Sequence, residues 1–232
     1  MRRFGVATVA ALVLCAGRAD AQFDHRLGAT TGGGCAAETT EDLDVDSVSN
    51  SCGTGVAGVD ANWFQNDASA DSATGHLTIS SLLGYEDSPG SFDPDSLDTL
   101  ASIQERLTRT EVGPIRATLQ LSAGLQQAKA VVRWEATLRL TNACSAFVSQ
   151  YVGNGFTEDP DLITSCPFDG SATADLNTLT VTFDAPTTTI DLLAQVRAEY
   201  FNFGLYDLTS GEYEIAANLL IGPLEGADYT AP

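Results

Sequence analysis

Glu135 and Glu199 each sit in the middle of a stretch of alternating polarity. Paired carboxylates are the groups glycoside hydrolysis uses, one as acid and one as base or nucleophile, roughly 5 to 9.5 Å apart. Arg133 and Arg197 precede them by two residues, hence on the same face of a strand, and the pattern reads first as a surface charge ladder between strands. Trp134 alternates to the opposite, inward side. Trp63, in the run Asp60-Ala61-Asn62-Trp63-Phe64-Gln65-Asn66, is read as a loop aromatic. It either plugs one end of the fold or stacks on a sugar face, which makes it the candidate ligand-binding residue.

Acidic groups are the other chemical lead. Glu41, Asp42, Asp44 and Asp46 are close in sequence, Asp93, Asp95 and Asp98 surround Pro94, and Glu158, Asp159 and Asp161 surround Pro160. Calcium takes several carboxylate and carbonyl oxygens, so Asp42, Asp44, Asp46, Asp93 and Asp95 are the calcium candidates. None of the groups has the fixed glycine and spacing of an EF-hand, and a solvated acidic surface is the plain alternative.

Other chemistries lack their residues. Gly53-Thr54-Gly55-Val56-Ala57-Gly58 matches G-x-G-x-x-G, but it follows Cys52 in a predicted loop rather than a strand, so it is a chance match to the dinucleotide fingerprint. The chain contains no G-x-S-x-G, H-E-x-x-H or P-loop. A Ser-His-Asp triad would need His25 or His76 as its base; His25 stands near a chain start and His76 at a strand start, where a solvated or packed imidazole is the simpler reading. No catalytic or cofactor-binding residue is assigned.

The start of the chain is an address. Arg2 and Arg3, the apolar run Phe4 to Gly17 and the Ala19-Asp20-Ala21 site form a secretory signal peptide over 1–21, leaving 22–232 as the mature domain. Leu14 is too large for a lipobox before Cys15. No later stretch approaches the roughly 20 apolar residues of a spanning helix. The chain of 232 residues has 11 basic and 31 acidic side chains, a net charge of -20; the mature part keeps 8 and 30, a net -22. Nucleic acid and anionic membrane are thereby excluded as partners, since both need a basic footprint. Cys35, Cys52, Cys144 and Cys166 remain after cleavage, an even number that suits an oxidising compartment. Of three possible connectivities, Cys35 with Cys52 and Cys144 with Cys166 is preferred, each closing a short Gly- or Asp-rich loop. A zinc site lacks any C-x-x-C spacing.

Period-two alternation sets the fold. Residues 115–125 place Ile115, Ala117, Leu119, Leu121, Ala123 and Leu125 on one face, residues 129–142 place Ala130, Val132, Trp134, Ala136, Leu138 and Leu140, and residues 189–201 place Ile190, Leu192, Ala194, Val196, Ala198 and Tyr200. Each opposite face is polar, as in half-buried antiparallel strands. Shorter strands are predicted at His76 to Leu82, Leu179 to Phe183, Phe203 to Leu208 and Tyr213 to Ile221. Residues 96–109 fit a strand with Ala101, Ile103 and Leu107 inward, or a helix with Leu97, Leu100, Gln104 and Leu107 in one stripe; the strand is preferred. Residues 22–55 and 86–96, rich in Gly, Asp, Ser and Pro, are predicted loops. The expectation is an all-β fold: one antiparallel β-sandwich, jelly-roll-like, of two stacked sheets with Gly/Asp-rich loops. Residues 101–125 and 173–197 share a strand, proline turn, strand cadence at Pro114 and Pro186.

The stretch Ser171-Ala172-Thr173-Ala174-Asp175-Leu176-Asn177-Thr178-Leu179-Thr180-Val181-Thr182-Phe183-Asp184-Ala185-Pro186 resembles the strand and turn of exported bacterial β-sandwich proteins of the PEP-CTERM kind, and Ala101 to Thr110 with Ile115 to Leu125 is similar in style. The resemblance implies export to the cell surface or matrix of a Gram-negative bacterium and supplies no catalytic residues. Thr230-Ala231-Pro232 carries no Pro-Glu-Pro motif, apolar helix or basic tail; release, or a sorting signal beyond this point, are the two readings. The expected function is that of a non-catalytic cell-surface, matrix or carbohydrate-contacting module. Its alternative is a secreted carbohydrate-active hydrolase with a carboxylate pair.

Overall fold

The computed structural model describes residues 25–31, 38–43, 45–54, 62–85, 98–108, 113–126, 131–140, 144–153, 155–166, 170–185, 189–201 and 209–223. Every regular element among them is a strand: β1 (His25–Thr31), β2 (Glu38–Leu43), β3 (Ser47–Thr54), β4 (Asn62–Asp71) and β5 (His76–Tyr85). Then come β6 (Asp98–Thr108), β7 (Gly113–Gln126), β8 (Val131–Leu140), β9 (Cys144–Gly153) and β10 (Phe156–Thr157). The last are β11 (Asp161–Ser165), β12 (Gly170–Ala174), β13 (Thr178–Ala185), β14 (Thr189–Phe201) and β15 (Thr209–Pro223).

All pairings are antiparallel and make the two stacked sheets expected of a sandwich. The first sheet runs β10-β9-β8-β14-β6-β1-β2, with β11 also on β9; the second runs β12-β13-β7-β15-β5-β4-β3. Alternation explains why each strand sits where it does, because only one face of each carries apolar side chains to bury. Ile190, Leu192, Ala194, Val196, Ala198 and Tyr200 of β14 and Val132, Trp134, Ala136, Leu138 and Leu140 of β8 are buried. They meet Ile115, Ala117, Leu119, Leu121, Leu179, Val181, Ile215 and Leu219 from the second sheet in one core. Two tyrosines tie the sheets together near one end. Tyr200 of β14 and Tyr213 of β15 lie 5.4 Å apart between ring centroids, and the Tyr213 hydroxyl donates to Thr99 Oγ1 of β6 at 3.1 Å. Burial pushes both phenol pKa values above their ordinary range.

Within residues 96–109 the expected strand is β6, over Asp98–Thr108, with Ala101 and Ile103 buried and Gln104 and Arg106 exposed. Ser102, expected to face out, is buried as well. Ala123, expected inward, is exposed: β13 covers β7 only as far as Gln120, so beyond that point one flank of the strand is open. Residues 22–55 are not loop throughout, because β1, β2 and β3 lie there. Their apolar signal is thin. Leu27 and Ala29 in β1, and Val48 and Cys52 in β3, are buried among Ser, Thr and Gly, and pairing with β6 and β4 supplies what local propensity lacks. The 101–125 and 173–197 pair both cross from one sheet to the other, and β6 pairs with β14 while β7 pairs with β13. Phe203 to Leu208 and 86–96 lie outside the described residues.

Cys144 and Cys166 form a disulfide. Sequence reading places them around a loop, whereas residues between them form β9, β10 and β11. Ser145 pairs with Ser165, so the bridge clamps the next register position of two antiparallel strands. The separation of 22 residues corresponds to about 3 kcal/mol on a loop-entropy estimate. Cys52 is also disulfide-bonded, and Cys35 lies outside the described residues.

Candidate functional site

The outer face of the first sheet carries the anticipated charge ladder. In register, Arg197 of β14 lies opposite Glu135 of β8, and Glu199 opposite Arg133. Arg133 meets Glu199 at 3.2 Å and Glu135 at 3.5 Å. Arg197 meets Glu135 at 3.5 Å and Glu199 at 3.2 Å, and makes a forked pair to Asp98 at 2.8 and 2.9 Å. That fork, the geometry in which guanidinium binds carboxylate best, holds the Arg197 pKa above its ordinary value. Each of these carboxylates is paired with an arginine. Glu135 and Glu199 are therefore ladder groups in the ground state, not a free acid and base.

The outer face of the second sheet is different in kind. A trough of about 470 Å3 opens there, lined by Ser49 and Ser51 of β3, Asp67 and Ser69 of β4, Thr78 and Ser80 of β5, and Glu214 of β15. Alternation builds it: Leu77, Ile79, Ala68 and Ala70 point into the core, which leaves the intervening hydroxyls and carboxylates outward. Two rows run across the strands. One is Ser51, Asp67, Ser80 and Glu214; the other is Ser49, Ser69, Thr78 and Ala216. The side chains are short, so the backbone floor stays low. Ser69 and Thr78 share a hydroxyl hydrogen bond at 2.6 Å, and Gln65 Nε2 donates to Asp67 Oδ2 at 3.0 Å. Beneath the floor, the buried Ser81 hydroxyl donates to Asn66 Oδ1, stitching β4 to β5 from the core side.

Trp63 stands on this same face. It is in strand β4 rather than in a loop, half-buried, four residues from Asp67 or about 13 Å at the strand rise. Its register partner is Gly84 of β5. A Cβ on Gly84 would come within 2.4 Å of Trp63 Nε1 and 2.5 Å of Cε2, so the indole lies over the glycine backbone in space no other residue would leave. Trp63 neither plugs the sandwich nor enters the core, since the neighbouring Phe64 takes the inward place. A half-buried aromatic seated on a sheet can stack on a planar ligand with the ring face it leaves to solvent.

One acid escaped sequence reading. Glu105 is buried at 4% exposure in the inward register of β6 with Ala101 and Ile103, and burial pushes its carboxyl up to about 7. It lies opposite His25 of β1 and Leu192 of β14. The signal was available in the alternation Ala101, Ile103, Glu105, which places it inside. The trough had no comparable signal, because its hydroxyls and carboxylates come from four strands and converge only through register.

Among the calcium candidates, Asp46 is exposed and Asp42 belongs to β2, while Asp44, Asp93 and Asp95 lie outside the described residues. Glu158, Asp159 and Asp161 are all exposed. Among the described residues no group of three or more His, Cys, Asp or Glu side chains converges to hold a metal ion. His76 is exposed at the start of β5. Gly53 and Thr54 end strand β3, and the rest of that glycine run lies outside the described residues. No helix among the described residues is long and apolar enough to cross a membrane.

Fold and site together define an antiparallel β-sandwich with a polar, aromatic-flanked trough on one outer face. No protein-family model matches the chain, and no curated protein matches it.

Proposed function

We propose that this protein is an exported, non-catalytic β-sandwich module of the cell surface or matrix of a Gram-negative bacterium, and that it contacts carbohydrate through the outer face of its second sheet. The observation that carries the reading is the trough: rows of Ser and Thr hydroxyls with Trp63 farther along the same strand. Hydroxyls both donate and accept, as sugar hydroxyls do, and the indole offers a stacking surface for a ring face. The signal peptide and the disulfide support export. The resemblance to PEP-CTERM-type proteins supports the surface or matrix setting.

The experiment is a polysaccharide and glycan binding screen with residues 22–232. Binding to at least one glycan is expected, weakened about tenfold by Trp63→Ala, as loss of a stacked aromatic does. Absence of glycan binding overturns the reading.

A second reading has one observation in its favour. Asp67 and Glu214 flank Ser80 across the trough, about 9.6 Å apart at Cα by strand spacing, and inverting glycosidases use two carboxyl groups held apart with room for a water between them. A secreted hydrolase would release reducing sugar from a bound glycan and lose that activity in Asp67→Asn. The binding-module reading expects no release.

A further inference from the structure

The charge pattern of the trough narrows its ligand. Asp67 and Glu214 stand on either side of Ser80, and no Lys or Arg lines the trough among the described residues. Among the described residues Arg26, Arg106, Arg133, Arg139 and Arg197 belong to strands of the first sheet, and Arg116 of β7 is the second sheet's arginine. Arg116 lies eight residues along β7 from Gly124, the partner of Glu214, or about 27 Å at the strand rise. That exceeds the roughly 8 Å over which charges act at physiological salt. An anionic sugar chain entering the trough would therefore meet carboxylates with no compensating cation among the described residues, in a protein of net charge -20. A chain carrying ammonium groups would be drawn in by the same field. Trp63, on the same strand as Asp67, favours a cation over its ring face as well as stacking.

We infer that the trough binds an amino-sugar polysaccharide, a hexosamine chain with free ammonium groups. The ammonium groups sit on Asp67 and Glu214, the ring hydroxyls bond to Ser51, Ser69 and Ser80, and a ring farther along the chain stacks on Trp63. This rests on the carbohydrate-contact reading above. It adds that the sugar is cationic.

Calorimetric titration of the exported chain with a glucosamine hexamer, and with the same hexamer fully N-acetylated, tests it. The work is done at mildly acidic pH, where the glucosamine amine carries its charge. The free-amine hexamer should bind about tenfold tighter than the acetylated one, the yield of two exposed charge contacts, and the preference should fade in high salt. The Asp67→Asn, Glu214→Gln double variant should keep its melting temperature and lose the preference. Equal or tighter binding of the acetylated hexamer, or a preference that survives in the double variant, overturns the inference while leaving carbohydrate contact intact. Failure of both hexamers, together with an empty glycan screen, overturns both.

Discussion

The two sheets of this sandwich use their outer faces in opposite ways. On the first, Arg133 and Arg197 interleave with Asp98, Glu135 and Glu199, so every carboxylate of the ladder has an arginine beside it. On the second, Asp67 and Glu214 stand among serines and threonines in a trough that no arginine lines among the described residues. The ladder pairs its charges with those of neighbouring strands, whereas the trough carboxylates have hydroxyl and amide groups around them. The lesson is that a carboxylate's position on a strand says little about its role until the register names what lies opposite.

The two tryptophans give the sharpest way to break this contrast. Trp134, at 1% exposure, fills the core beneath the ladder, and Trp134→Ala should cost about 3 to 5 kcal/mol in chemical denaturation. Trp63→Ala on the trough side should cost only about 1 kcal/mol, as expected of a half-buried surface side chain. If the two losses are similar, Trp63 is a structural residue and the contrast fails.

Glu105 provides the next largest effect. Its carboxyl titrates near 7 in the folded protein against an ordinary value of 4.5, so between these pH values the native state holds a proton the unfolded chain has released. Stability should therefore be greatest at low pH and fall as pH rises through this window, by up to about 3 kcal/mol, then level off above it. Urea midpoints of wild type and Glu105→Gln across this range check the assignment: the variant should lose the slope, and a slope that persists would assign it to other groups.

The smallest effect belongs to the ladder. Arg197→Met leaves Asp98, Glu135 and Glu199 facing one another without their shared cation, and the expected loss is about 1 kcal/mol, most of it removed by molar salt. A loss that salt does not touch would mean that Arg197 acts by packing its stem rather than by charge.

Long strands with clean alternation were legible from sequence because burial of one face demands that pattern. Residues 132–140, 190–200 and 115–121 lie in the expected orientation, and the spacing of arginine and glutamate on β8 and β14 alone spells out a ladder. Strands β1, β3 and β4 were not legible. Their serines, threonines and asparagines match turn composition, and a hydrogen-bonded neighbour, not their own propensity, makes them strands. Trp63 was misplaced for the same reason, being read with the loop residues before it instead of as the outward neighbour of Phe64.

Sequence by itself determined the all-β class, the inward face of the longest strands and the sign of the surface charge, since each depends on residue type at short, regular spacing. Tertiary structure decided which residues meet across strands. Ser51, Asp67, Ser80 and Glu214 come from four separate strands, and a shift of one residue in any of them would turn its trough group into the core. The site is a property of register, and register is fixed by the summed burial of all the strands together rather than by any local signal.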